Sequence, residues 1–268
     1  MQPIVLIRGG GDLASGVAVR LNRVGIHVII SEIAQPLAVR RLVSFAEAIY
    51  TTQIKIEEVI GQRADSTDDV IHCIENGIIP VIIDPEADIR HSIPTIAIVD
   101  GRMTKRSPGY RLDFASFCVG LGPGFEVGAN CHVIVETKRG PFLGRVYWQG
   151  KAEEDTGMPE KVGVYQAERV LRAPADGIFC SHAEIGDFVN KGDVLADVEG
   201  QPVLAHFDGM LRGLLHNGLP IRRNVKVGDL DPRQDERLCK MVSDKALAVG
   251  GGVLEAILGR SEIRSRLW

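Results

Sequence analysis

Ile4-Val5-Leu6-Ile7-Arg8-Gly9-Gly10-Gly11-Asp12-Leu13-Ala14-Ser15-Gly16-Val17-Ala18 is the stretch whose reading decides the fold. An apolar run ends at Arg8 and three glycines. Ala14, Val17, Ala18 and Leu21 then fall at i, i+3, i+4 and i+7, one face of an amphipathic helix. Gly9-x-Gly11-x-x-Ala14 therefore fits the G-x-G-x-x-G/A dinucleotide fingerprint in its required context, after a strand and at the opening of a helix. Gly9 permits the tight turn, Gly11 lets the backbone approach a pyrophosphate, and Ala14 admits close packing of helix on strand. The helix start offers N–H groups and partial positive charge to phosphates, which Gly9, Gly10, Gly11 and Asp12 would meet. Asp12 departs from the pattern, because a carboxylate there weakens phosphate binding unless it caps the helix or holds a cation. Glu32 lies 21 residues after Gly11, where a carboxylate accepts from a ribose 2′-OH and repels a 2′-phosphate. NAD-type ligands are thereby favoured over NADP-type. The alternative is a domain whose glycines serve only the turn.

Working outward, Ile26–Ile30 reads as a second buried strand. Pro36 suits the first turn of a second helix, with Ala38, Leu42, Phe45, Ala46 and Ile49 on its apolar face. Ser66-Thr67-Asp68-Asp69 reads as another helix start and Gly77 as its C-cap. Ile78–Ile83 and Thr95–Val99 complete four strands. Strands separated by helices imply a parallel, doubly wound sheet, so residues 1–106 are expected to be a Rossmann-like nucleotide-binding domain. Residues 107–168 form a Gly-rich β linker region, with strands at Val133–Glu136 and Gly144–Trp148 and a polar loop at Lys151–Pro159. Residues 232–268 form a C-terminal helical segment, which Gly250-Gly251-Gly252 is expected to interrupt.

Residues 169–231 hold an internal repeat. Asp176-Gly177 recurs as Asp208-Gly209 at an offset of 32, Gly186 matches Gly218, and Val189 matches Ile221. Two halves of short strands and Gly-Asp turns suggest a pseudo-symmetric β-sandwich. Ala173–Gly177 and Ile185–Leu195 resemble the biotinyl/lipoyl-type barrel-sandwich hybrid. The turn between the halves, Glu199-Gly200-Gln201-Pro202, has no lysine, so neither biotin nor lipoate is expected to be carried covalently.

Composition excludes several classes. The 268 residues carry a net charge of 31 − 35 = −4, which gives no basic excess for binding a nucleic-acid backbone. Aromatics are 5%, which disfavours base-stacking platforms. No 18-residue apolar stretch exists, so no membrane span is expected. The N-terminal apolar run is too short for a signal peptide. Cys73, Cys118, Cys131, Cys180 and Cys239 are widely spaced without C-x-x-C, which suits a reducing cytoplasm. The histidines lack metal-ligand spacings, so no metal site is expected, although His182 and His206 fall where the repeat could bring them together.

Gly120-Leu121-Gly122-Pro123-Gly124 is a second glycine run. Its amides at Gly120, Gly122 and Gly124 could form an anion nest, with Cys118 as a thiolate beside it; the plainer reading is a turn with a buried cysteine. Arg139, next to Gly140, is a candidate anion contact.

The motifs Arg8–Ala18, Gln35–Arg41, Val81–Glu86, Val119–Phe125, Glu136–Pro141 and Asp155–Pro159, in that order, resemble the YqeB-type proteins of the selenium-dependent molybdenum hydroxylase system. The first segment also resembles the Rossmann part of XdhC-type maturation factors. The resemblance implies a cytoplasmic accessory or maturation factor that handles a molybdenum cofactor or its nucleotide and meets the hydroxylase apoprotein or other maturation factors. It carries over no catalytic residue; Cys118 is the candidate for handling sulfur, selenium or the metal centre. Two other readings stand beside it. One is an NAD-dependent oxidoreductase acting on a small metabolite, with His91 or Asp100 as acid or base. The other is a non-catalytic scaffold. A homo-oligomer is compatible with the sequence.

Overall fold

The computed structural model describes residues 3–155, 157 and 161–267, so Thr156, Met158 and Pro159 of the expected loop lie outside the described residues. The chain is mixed α/β and divides into two compact units. One comprises Met1–Pro36, Phe45–Thr156 and Val242–Trp268; the other comprises Leu37–Ser44 and Gly157–Met241.

The first unit is built on β1 (Ile4–Arg8), α1 (Asp12–Arg23), β2 (His27–Glu32), α2 (Ala48–Thr51), β3 (Gln53–Ile56), β4 (Val59–Ala64), α3 (Thr67–Glu75), β5 (Ile79–Ile83), β6 (Ala97–Asp100), β7 (Cys118–Leu121), β8 (Val133–Val135) and β9 (Val146–Tyr147). Its nine strands run in the order β3-β4-β5-β2-β1-β6-β7-β8-β9. From β4 to β8 every neighbouring pair is parallel; only the outer pairs β3/β4 and β8/β9 are antiparallel. A strand covered on both faces reads as a continuous apolar run. Val5, Leu6 and Ile7 are accordingly fully buried. The sheet therefore continues past residue 106 through β7 and β8. Ser66 caps α3 as expected, its Oγ accepting from Asp69 N at 3.1 Å, and Gly77 follows with φ +71°.

The helix expected from Pro36 does not form as one element. Arg41–Val43 and Phe45–Glu47 are 3₁₀ turns, and α2 has only four residues. The backbone donors are drawn to tertiary acceptors: Phe45 N donates to Ser15 Oγ at 2.8 Å and Ala46 N to Gly10 O at 2.9 Å. The hairpin of β3 and β4 follows, where the sequence offered no reading.

In the second unit, β10 (Val170–Arg172), β11 (Gly177–Ser181), β12 (Phe188–Val189), β13 (Val194–Val198), β14 (Gln201–Leu204), β15 (Gly209–Leu214), β16 (Pro220–Ile221) and β17 (Lys226–Asp231) form two four-stranded antiparallel sheets. Their orders are β10-β17-β15-β12 and β14-β13-β11-β16. The repeat appears in the register. Gly177 pairs with Ile221 and Gly209 with Val189, so each half lends its short strand to the other half's sheet. The turns are exchanged too: Asp208 Oδ1 accepts from Lys191 N at 2.7 Å, and Asp176 Oδ1 from Arg223 N at 2.6 Å. Glu199 and Gly200 link β13 to β14 with φ of +51° and +72°, the left-handed pair that a two-residue hairpin turn requires. On β17, burial would raise the Asp229 carboxyl, but Lys226, Arg212 and Arg169 outweigh it and hold it below its ordinary range. A short helix, α4 (Arg237–Lys240), ends the unit.

The chain then returns to the first unit as α5 (Asp244–Leu258) and α6 (Ser261–Arg264). Ser243 caps α5 by accepting from Ala246 N at 3.1 Å. Gly250-Gly251-Gly252 does not interrupt it; the three lie inside α5. Each glycine costs about 1 kcal/mol against alanine in a helix interior, but two of these admit close neighbours. A Cβ on Gly250 would sit 3.0 Å from Gly16 O of α1, and a Cβ on Gly16 would sit 2.5 Å from the Cβ of Ala246. Small residues on both helices let α1 and α5 approach closely.

Candidate functional site

The strand order of the first unit reverses between β1 and β6. The chain leaves β1 for β2 on one side, then later crosses back to lay β6 on the other. In open α/β sheets the crevice for a ligand lies outside the carboxyl ends of the strands at such a reversal. The glycine turn sits there. Gly9 has φ +89°, where a side chain would be strained, and its N–H donates to Ser31 O at 2.8 Å. Gly10 is enclosed: a Cβ would come 2.8 Å from Ala46 N. Gly11 differs, for a Cβ there would meet nothing within 4 Å. It is the N-cap of the twelve-residue α1, with no side-chain cap. The first N–H groups of a helix have no acceptor within it and carry the positive end of its dipole. Open space and the positive end of the helix dipole therefore coincide at Gly11.

Asp12 lies in the first turn of α1, where the dipole favours a carboxylate. Ala14 packs against the end of β6, since a Cβ on Gly101 would come 2.9 Å from its methyl. Glu32 ends β2 and reaches the turn: one carboxylate oxygen accepts from Gly10 N at 2.7 Å and the other from Ile33 N at 2.8 Å. Burial pushes its carboxyl up, and the two amides oppose that shift.

The other candidates have different surroundings. Gly120 lies in β7, with the Phe125 ring in the space a side chain would take; Thr137 closes on Gly122 and the Arg106 carbonyl on Gly124. The Gly122 N–H donates to Val135 O at 3.1 Å. Cys118 is fully buried, and burial pushes its thiol up to about 12, so it is a neutral thiol near pH 7. Its Sγ lies 3.5 Å from the Tyr110 hydroxyl. Arg139 forms a two-pronged ion pair with Asp244, at 2.8 and 3.0 Å. In the repeat, His182 pairs with Asp197 at 2.7 Å, whereas His206 Nδ1 lies 2.9 Å from Glu168 O. Among the described residues no group of three His, Cys, Asp or Glu could hold a metal ion, and no helix is long and apolar enough to cross a membrane.

Beside the turn stands a cluster of which the sequence reading singled out only Asp100, as a candidate acid or base. Arg8 ends β1 and Asp100 ends β6, opposite each other in register. Asp100 accepts from Arg102 Nε at 3.0 Å, Arg102 Nη2 at 2.7 Å and Tyr110 Oη at 2.9 Å. Arg8 Nη2 donates to Pro85 O at 2.6 Å. The available signal was a charge closing an otherwise apolar buried strand. Ser15 was also missed; its hydroxyl donates to Gly10 O at 3.0 Å and accepts from Phe45 N.

The site thus belongs to an α/β protein with a glycine turn opening a helix at a parallel-strand reversal. No protein-family model matches the chain. It is similar to the uncharacterized protein YqeB of Escherichia coli K12, with 42% identity over 255 residues, which is 95% of this chain and 47% of that protein. The chain therefore spans about half the length of this curated relative. Among solved structures, an aspartoacylase family protein from Mesorhizobium loti is 14% identical with a TM-score of 0.26, over 86% of this chain and 85% of that one. The ectoine utilization protein EutE (DoeB) of Ruegeria pomeroyi is 13% identical with a TM-score of 0.26, over 85% of this chain and 86% of that one. Neither structural likeness is close enough to carry an argument.

Proposed function

We propose that the first unit is a Rossmann-like nucleotide-binding domain and that the protein is an accessory or maturation factor for a molybdenum hydroxylase, holding a phosphorylated cofactor or nucleotide at the glycine turn. The observation that carries this is the open space over Gly11 at the start of α1, beside the reversal between β1 and β6. The parallel run is β4-β5-β2-β1-β6-β7-β8; its six strands from β5 to β8, counted along the chain without β4, stand in the order 3-2-1-4-5-6 of dinucleotide-binding sheets, with β4 added outside β5. In this reading the first amides of α1 hold a phosphate and Glu32 meets a ribose hydroxyl.

The reciprocal strand exchange in the second unit favours a barrel-sandwich hybrid there, used for docking rather than for a swinging cofactor. The choice of a hydroxylase partner rests on motif likeness. The proposal draws on neither Cys118 nor the second glycine run. An NAD-dependent oxidoreductase is the alternative, supported by the same turn and by Glu32.

The deciding experiment reconstitutes an apo-hydroxylase with molybdenum cofactor, with and without this protein. The maturation reading expects faster or fuller activation, reduced by Gly11→Val. No effect on activation, together with turnover of a metabolite dependent on NAD or NADH, would replace it with the oxidoreductase reading.

A further inference from the structure

Arg8 is the one charge in β1, and its side chain is 3% exposed. Its guanidinium lies 5.4 Å from the centre of the Tyr110 ring and 5.0 Å from that of Phe114. Nη2 is taken by Pro85 O, Nη1 lies 3.9 Å from Asp100 Oδ2, and Nε is buried without a hydrogen-bond partner. Asp100, 2% exposed, is already engaged by the Arg102 fork and by Tyr110. Glu86 comes within 3.8 Å of Arg8, but its side chain is 79% exposed, so water screens it.

Two guanidinium groups therefore face one buried carboxylate, with a donor left over. A buried cation without full compensation is costly, and a buried polar atom without a partner calls for a physical reason. The cluster adjoins the turn: Arg8 precedes Gly9, and a Cβ on Gly9 would come 3.2 Å from the Arg102 Cα.

We infer that Arg8 and Arg102 form a second anion subsite, which takes a phosphoryl group carried on the part of the ligand that lies on the β6 side of the glycine turn. Guanidinium forks suit phosphate oxygens, and a phosphate supplies both the missing acceptor and the missing negative charge. Arg102 is the more exposed of the two, its side chain 28% exposed against 3% for Arg8. The inference rests on the reading that the turn itself binds a phosphorylated ligand.

The test is calorimetric titration of the full chain with inorganic phosphate. The wild type binds two equivalents. Gly11→Val fills the open space over the turn and keeps one equivalent; Arg102→Met also keeps one, the other one. Arg102→Lys retains the charge beside Asp100 and binds both, one of them about tenfold more weakly, the loss expected for a charged hydrogen bond. If Arg102→Met does not fold, Arg102→Lys carries the test, and unchanged affinity for both equivalents overturns the subsite. A single equivalent removed by Gly11→Val and kept by Arg102→Met overturns the subsite and leaves the turn reading standing. A single equivalent removed by Arg102→Met and kept by Gly11→Val leaves an anion site at Arg102 but overturns the turn reading and, with it, the assignment of that site to a second phosphoryl group of the turn's ligand. No binding to the wild type overturns both.

Discussion

At Ser15 one hydroxyl ties the glycine turn to a segment thirty residues away. It donates to Gly10 O and accepts from Phe45 N, all of them buried. Ser15→Ala leaves the Phe45 N–H without its acceptor, and the cost of such a buried orphan is about 1–3 kcal/mol. Urea denaturation should show that loss; an unchanged midpoint would mean that the segment finds another acceptor. His132 supplies a pH-dependent counterpart. Burial lowers its pKa, with Arg260 adding to the effect, and Nδ1 accepts from Cys118 N at 3.0 Å, which requires that nitrogen to be unprotonated. The unfolded chain therefore binds more protons than the folded one between the lowered folded pKa and the ordinary value near 6.5. His132 contributes stability above that ordinary value, and the contribution falls away as pH drops through the window. Denaturation at pH 7.5 and at pH 5.5 should show a smaller difference for His132→Gln than for the wild type; equal differences would remove His132 from the account. Gly9, Gly11, Ala14 and Glu32 could be placed at the turn from the sequence because their positions depend on near neighbours and fixed spacing. Arg8 and Ser15 could not, because what they do depends on Pro85, Asp100 and Phe45, which only the tertiary fold brings near.

The glycines of α1 and α5 separate helix propensity from packing at the scale of elements. Gly251 has nothing within 4 Å of a Cβ position, whereas Gly16 would drive one to 2.5 Å from Ala246 Cβ and 2.9 Å from its carbonyl. Gly251→Ala is predicted to stabilise by up to about 1 kcal/mol, the helix propensity gain. Gly16→Ala gains the same propensity but overpacks the contact at a cost of about 1–3 kcal/mol, so it should destabilise by up to about 2 kcal/mol in net. Thermal denaturation of the pair checks this; a stabilising Gly16→Ala would mean the helices are free to move apart. The same elements mark where periodicity is a good guide. The strands β1, β2, β5 and β6 and the helix α1 announce themselves by runs and spacing, and the repeat by matched Asp-Gly turns. The segment from Pro36 to Ile49 has helical spacing yet forms 3₁₀ turns, because its amides bond to Ser15 and Gly10. The triple glycine looks like a break yet lies within a helix, because packing of Gly250 against α1 and of Gly252 against Gly144 and Val135 outweighs its poor propensity. Local pattern reports burial faithfully; it does not report which acceptor a backbone amide will find.

For the molecule as a whole, two units with separate sheets are braided along one chain, since residues 37–44 belong with the repeat and residues 242–268 with the large sheet. Sequence windows assign residues to consecutive spans and so could not reveal this return. The chain spans about half the length of YqeB. The central claim is narrower: the turn at Gly11 binds a phosphate-bearing ligand. Thermal denaturation in the presence of NAD, NADP, ATP, CTP and a pterin-nucleotide form of the molybdenum cofactor tests it directly, with the wild type and Gly11→Val side by side. A ligand at about 100 times its Kd stabilises the folded state by roughly 2.7 kcal/mol. The account predicts such a shift in Tm for a phosphate-bearing member of the panel, strongest for the pterin nucleotide and lost in Gly11→Val. An equal shift in the variant, or no shift with any member, would contradict it.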